Sequence, residues 1–272
     1  MTRESLHLTK RALNRQLFNP TCIKHNNFDG HIATAKNCGT HWVKYMLSLA
    51  LAEKYNLPAP ESIRDDAIVG HTKTPPKYKN IPQIAITHSH PHYLMRLPAA
   101  HKALHLPKFV VLVRDMRSIL VSMYEKSKGP HIDEKLGRSN VTFSEYLPGD
   151  VTGRTRFEDI WGLILFFNAW GAIAEKSPEN TLVVRYEDLQ SNTQGTLRKI
   201  CDHIGLDISD DILARASTIS TKKDMEELMD EEGEKIVNTQ SRNDLDWYSE
   251  QDMNFQRKTC NKYLKYNFGY KY

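Results

Sequence analysis

The chain is poor in the features that define several common protein classes. Its 272 residues contain only four cysteines, Cys22, Cys38, Cys201 and Cys260. They are far apart and form no CxxC pair, so they read as reduced thiols of an intracellular protein and not as a disulfide framework. The start, Met1-Thr2-Arg3-Glu4-Ser5, has no apolar signal core. The most apolar stretch, Ile160 to Ala174, is broken by Gly162, Asn168 and Gly171. It is too short to span a bilayer comfortably and reads as a buried helix. Reduced thiols and the missing leader lead to the expectation of a cytoplasmic protein. Charge of one sign is also scarce: the formal net charge is only +4. So small an excess suits an anionic small ligand and does not call for nucleic acid. No internal repeat or low-complexity tract stands out.

Continuous apolar runs are present, and they alternate with helix-length segments. The strand candidates are His31–Ala35, Ile84–Thr87, Lys108–Val113 and Thr181–Arg185. Between them or after them lie Trp42–Tyr55, Met116–Lys126, Phe157–Lys176 and Asn192–Ile204, the last stopped by Gly205. Uninterrupted apolar strands are those of a parallel sheet covered on both faces. The expected fold class is therefore α/β: a three-layer sandwich with a central parallel sheet and a P-loop-like strand-loop-helix. Residues 1–29 are expected to be an arm packed on the body, and 30–272 one domain. Segments near 129–153 and 221–246 are expected to be mobile. Glu250–Tyr266 is expected to be a terminal helix docked through Phe255, Tyr263 and Leu264.

In such sheets ligands bind beyond the carboxyl ends of the strands. Those ends carry Lys36, His88, Arg114 and Tyr186-Glu187-Asp188. The first is the most informative. Lys36-Asn37-Cys38-Gly39-Thr40-His41-Trp42 joins a strand to a helix through a turn with one glycine. Free backbone N–H groups and the positive end of the helix dipole then meet at one spot, which suits phosphate or sulfate. It is not a Walker A loop, which needs two glycines ahead of its lysine. An ordinary turn with Gly39 supplying backbone freedom is the alternative. Arg114 ends another strand, and Ser122 follows two helical turns later. Together they can clamp a second anionic group. Two anion sites on one edge suggest a nucleotide phosphorylated at both ends of its ribose. Trp42 and Tyr186 offer planar surfaces for its base. His88, His90 and His92 alternate along one segment. A metal site is one reading of that spacing; His90 and His92 shaping an acceptor pocket is the one adopted.

At this point the chain resembles the sulfotransferase family, whose donor is 3′-phosphoadenosine 5′-phosphosulfate (PAPS). Residues 36–42 resemble the family's 5′-phosphosulfate loop. Thr87-His88 resembles the segment bearing the catalytic base. Val113-Arg114-Asp115 through Ser122 resembles the 3′-phosphate motif. Arg185-Tyr186-Glu187-Asp188-Leu189 and the stretch from Asp246-Trp247 to Phe268-Gly269-Tyr270 resemble two further family segments. The resemblance implies catalytic roles for His88 and Lys36. It implies donor binding by Lys36, Asn37, Cys38, Gly39, Thr40, His41, Trp42, Arg114, Ser122 and Tyr186. Two registers of the loop are open. In one, the lysine stands two residues before the glycine, where this chain has Asn37, and Cys38 replaces serine. In the other, Lys36 aligns directly; this register keeps a lysine on the loop and is adopted.

The implied reaction moves a sulfuryl group from PAPS to a hydroxyl or amine, leaves adenosine 3′,5′-bisphosphate as product, and requires no metal. The acceptor is expected to be a small molecule, lipid or carbohydrate, met by Tyr93, Met95, Tyr124 and the 129–153 segment. No nucleic acid and no transmembrane segment are expected, and a homodimer stays open. A P-loop phosphotransferase and a non-catalytic nucleotide-binding protein on the same scaffold are the alternatives.

Overall fold

A computed structural model describes residues 2–74, 76–127, 141–154, 159–219 and 243–272. The expected mobile segments fall largely outside these residues. Their described parts include the short helix Phe143–Tyr146 and the 3-10 turn Asp244–Trp247.

Five strands form one sheet in the order β2-β3-β1-β4-β5, and every pairing is parallel. They are β1 (Gly30–Thr34), β2 (Val69–His71), β3 (Ile84–Thr87), β4 (Lys108–Val113) and β5 (Thr181–Arg185). The expected strands are all present, the first shifted by one residue. β2 was not foreseen: three residues with a central Gly70 carry no apolar period. The α/β class with a parallel sheet between helical layers is thus realised.

The helices are α1 (Arg3–Leu17), α2 (Thr21–Lys24), α3 (Thr40–Lys54), α4 (Pro98–Ala103), α5 (Met116–Ser127), α6 (Phe143–Tyr146), α7 (Ile160–Lys176), α8 (Tyr186–Ser191), α9 (Thr193–Ile204), α10 (Asp210–Ile219) and α11 (Glu250–Tyr263). Their ends follow local chemistry. Asp159 caps α7 by accepting from Gly162 N, and Asn192 caps α9 by accepting from Gly195 N. Gly205 ends α9 in the left-handed region at φ 88°.

Successive strand residues point to opposite faces. Gly30 lies against Ile204 of α9 on one face. Its neighbour His31 lies edge-on to Phe109, which packs on Trp170 of α7, on the other. α9, α10 and α3 pack in sequence on the first side, while α7, joined by α1 and α5, covers the second. All five residues of β1 are buried. The core between the layers is filled by Ile32, Phe109, Phe167 and Trp170, each fully buried.

The sheet order decides where a ligand can sit. The chain leaves β1 towards β3 on one side and later returns to β4 on the other. β1 is therefore the topological switch point, and in sheets of this kind the ligand crevice lies beyond its carboxyl end. Ala33 pairs with Thr87, and Thr34 pairs with Leu112. This register sets His88 and Arg114 on opposite flanks of the loop that follows β1.

Candidate donor site at the end of the first strand

The loop between β1 and α3 turns through two left-handed residues, Asn37 at φ 61° and Gly39 at φ 84°. A Cβ on Gly39 would stand 2.6 Å from Cδ2 of Tyr186, so the aromatic ring packs directly on the loop backbone. No side chain caps α3. The helices α1, α7, α9 and α11 are all capped by their own Thr2, Asp159, Asn192 and Ser249. The first amides of α3 thus remain directed at the crevice, the arrangement that accepts an anion.

The predicted site residues gather here, with different roles. Thr40 is buried, its Oγ1 3.1 Å from Oγ1 of Thr34, which ties the helix start to the strand end. Cys38 is fully buried, its thiol 3.8 Å from the Lys36 carbonyl. Lys36 is exposed. Arg114 Nη1 donates to the Asn37 carbonyl at 3.1 Å, and its guanidinium lies 4.8 Å from the centre of the Tyr186 ring. Trp42 meets the same ring edge-on at 5.9 Å. Arg114, Tyr186, Trp42 and Gly39 therefore form one corner of the crevice. Ser122 is half-buried on α5. Asp244, which the sequence did not single out, pairs with Arg114 Nη2 at 3.5 Å.

His88 stands on the opposite flank. Its Nδ1 lies 2.9 Å from the Thr34 carbonyl oxygen. A carbonyl only accepts, so Nδ1 carries the proton of the neutral ring and Nε2 is the basic nitrogen. His71, at the end of β2, was also missed by the sequence; its ring centre is 6.3 Å from that of His88. Burial pushes His71 below the usual histidine range, and the charges of His88, Lys73 and Lys44 add to this against the pull of Asp66. Burial likewise pushes His41 down to about 4, with Lys44, Lys126 and His88 contributing.

The other histidines do not join this site. His90 is buried, its Nε2 2.8 Å from Arg15 Nη1, and it packs edge-on against Phe166 at 5.6 Å. His92 caps the turn Tyr93–Arg96 by accepting from Leu94 N. Among the described residues no cluster of three His, Cys, Asp or Glu side chains could hold a metal. The expectation that His90 and His92 shape an acceptor pocket is corrected accordingly: one is core, the other a cap. Met95, fully buried, is also core, and Tyr124 is buried in an aromatic cluster with Phe143 and Trp247.

Glu187 explains the Arg-Tyr-Glu-Asp-Leu segment. Its Oε1 accepts from Asp115 N at 3.1 Å, and its Oε2 accepts from the Tyr270 hydroxyl. One carboxylate thereby joins the ends of β4 and β5 to the C-terminal stretch.

Comparison with known proteins agrees with this geometry. The sulfotransferase domain family matches residues 29–263. Mouse sulfotransferase 2A6 is 30% identical over 141 residues, 48% of this chain and 46% of that protein. Human sulfotransferase 2B1 is 26% identical over 203 residues, 71% of this chain and 50% of that protein. The chain spans about half the length of the curated relatives it matches. Among solved structures, mouse sulfotransferase SULT7A1 complexed with PAP superposes with a TM-score of 0.59 at 18% identity, covering 91% of this chain and 89% of that one. Retinol dehydratase in a complex with retinol and PAP gives 0.62 at 14% identity, covering 97% and 87%. At those identities the likeness is one of fold. Among the described residues no helix is long and apolar enough to cross a membrane. The family match over most of the chain, on a sheet whose switch point carries these motifs, shows that the chain belongs to the sulfotransferase domain family.

Proposed function

We propose that this chain transfers a sulfuryl group in line from PAPS to a hydroxyl or amine acceptor, with His88 taking the acceptor's proton. The observation that carries the reading is the His88 Nδ1 contact of 2.9 Å to the Thr34 carbonyl. It sets the basic Nε2 at the strand end that opens into the anion loop. The acceptor oxygen or nitrogen bonds to sulfur, the sulfur–oxygen bond to the 5′-phosphate breaks, and the released proton goes to His88 Nε2.

The loop geometry supports this donor. The amides of Gly39, Thr40 and His41 would hold the 5′-phosphate at an α3 start that no side chain caps. Arg114 and Ser122 would hold the 3′-phosphate. Tyr186 and Trp42 would face the base. The two superposing folds complexed with PAP support this donor. Retinol dehydratase has also been solved with androsterone and PAP, and retinol and androsterone both bear a hydroxyl group. That supports a small hydroxyl-bearing acceptor here. The transfer is proposed to need no metal, because the sulfuryl group carries less charge than a phosphoryl group. A cytoplasmic location belongs to the same reading.

The test is transfer of labelled sulfate from PAPS, without added metal, to a panel of phenols, sterols, fatty alcohols and sugars. Transfer to any member supports the reading. Binding of adenosine 3′,5′-bisphosphate with no transfer to any of them points to a non-catalytic nucleotide binder. Arg114→Ala is expected to weaken adenosine 3′,5′-bisphosphate about 10- to 100-fold, the loss of charge-assisted hydrogen bonds. Unchanged binding in a calorimetric titration would show that the 3′-phosphate lies elsewhere.

A further inference from the structure

Sulfuryl transfer needs a cation where the sulfur–oxygen bond breaks, because negative charge grows on the oxygen left with phosphate. The loop's own lysine, Lys36, has an exposed side chain. A second lysine reaches the loop from another element. Lys126 lies on α5, four residues beyond Ser122, so both share one helix face. Its Nζ donates to Asn37 Oδ1 at 2.6 Å. The carbonyl of the same residue accepts from Arg114 at 3.1 Å. Asn37 is thus gripped from two sides, its main chain by one cation and its side chain by another.

The two cations approach Asn37 from different elements, the end of β4 and α5. Arg114 lies against Tyr186. Lys126 reaches the loop from α5 and lies against the side chain of Asn37. Lys44, the remaining ammonium near His41, is buried and committed to Asp66 and to the Arg64 carbonyl. It is held by its own counter-ion.

We propose that Lys126, rather than Lys36, is the cation that meets the transferring sulfuryl group, held over the loop by Asn37. The assignment rests on the sulfotransferase reading above. As the acceptor–sulfur bond forms, the electron pair of the breaking sulfur–oxygen bond stays on the 5′-phosphate, facing the Lys126 ammonium. The acceptor's proton passes to His88. Nothing beyond acceptor and PAPS is consumed. A neutral asparagine at position 37 and a lysine at position 126 form one device: the charge comes from α5, and the loop supplies the tether.

Four variants test this: Lys126→Met, Lys126→Gln, Lys36→Met, and Lys126→Met combined with Asn37→Lys. Turnover is read with labelled PAPS and an acceptor from the panel, and donor-site integrity by calorimetric titration with adenosine 3′,5′-bisphosphate. Both Lys126 variants are expected to lose about 10²- to 10³-fold in kcat, more than Lys36→Met. Their affinity for adenosine 3′,5′-bisphosphate, whose 5′-phosphate carries the charge that Lys126 meets, should fall by about tenfold at most, less than the loss in kcat. Asn37→Lys should recover about tenfold or more of the lost turnover, by returning the charge to the loop. Lys126→Gln keeps a donor for Asn37, so it separates charge from mere support of the loop. The assignment falls if Lys36→Met causes the larger loss, if Lys126→Gln turns over like wild type, or if affinity falls in step with kcat. A wild-type protein that never transfers sulfate removes the transferase reading and this assignment with it. A wild-type protein that transfers while Lys126→Gln is unaffected removes this assignment alone.

Discussion

His88 owes its chemistry to one neighbour. The Thr34 carbonyl lies 2.9 Å from its Nδ1, so in the neutral ring that nitrogen carries the proton and Nε2 is the acceptor. His90, two residues on, has the opposite fate. It faces Arg15, a donor only, so its Nε2 accepts and the ring is held neutral; burial and the charges of Arg15 and Arg11 push its basicity well down. Two histidines in one segment thus differ in use because one borders the crevice and the other the α1 interface. Replacing His88 by alanine should lower kcat by about 10²- to 10⁴-fold, the worth of a general base. Affinity for adenosine 3′,5′-bisphosphate should hardly change. Steady-state turnover beside a binding titration separates the two, and a parallel loss of affinity would instead make His88 a structural prop. Sequence alone marks His88 by its place after an apolar run. It cannot mark Asp244 or His71, because neither sits in a motif and both matter only through contacts made by the fold.

At the scale of elements, α1 is fastened to the body by a buried ion pair. Arg11 Nη2 lies 3.0 Å from Asp159 Oδ1, with side-chain exposures of 5% and 1%. The same carboxylate caps α7 through Gly162 N and accepts from Asp150 N at 2.8 Å. Asp159 therefore joins the amino-terminal helix, the 141–154 segment and the longest helix of the core. Asp159→Ala removes a buried carboxylate from the Arg11 guanidinium and from two backbone amides, and should cost about 3–5 kcal/mol. Urea unfolding measures it; a loss below about 1 kcal/mol would mean that the pair is as weak as a surface one. The polar composition of residues 1–29 suggests only a packed arm. That it is a helix with Leu8 and Arg11 inward follows from a partner more than a hundred residues away, which no local pattern encodes. Glu187 behaves similarly: its motif is visible in sequence, while its task of bridging β4, β5 and Tyr270 is visible only in the fold.

At the scale of the whole molecule, the sheet sets the response to acid. His31 is fully buried in β1 between Phe28 and Phe109, and burial lowers its pKa from 6.5 to about 4. Between those values the unfolded chain binds a proton that the folded one refuses. The stability involved is fully present above pH 6.5 and is lost as pH falls towards 4. The loss amounts to about 3 kcal/mol at this one residue. His31→Gln should flatten that part of the profile, measured as urea unfolding at intervals between pH 4 and pH 7; an equally steep profile in the variant would assign the effect to other groups.

Much of this molecule follows from sequence alone. Largely apolar runs mark β1, β3 and β4, because a strand buried on both faces cannot be polar, and Leu182-Val183-Val184 marks the partly buried edge strand β5. Caps and stops such as Asn192 and Gly205 mark helix ends, because they answer to their nearest neighbours. Gly39, Arg114 and His88 are legible as strand-end residues for the same reason. The order of the strands is not local. Only the folded sheet, with β1 between β3 and β4, sets Arg114 and His88 on either side of one loop. Only tertiary packing brings Lys126 to Asn37, and only burial decides which histidines face the crevice and which are sealed in the core. Those choices depend on distance in space and on exclusion of water, which belong to the folded chain.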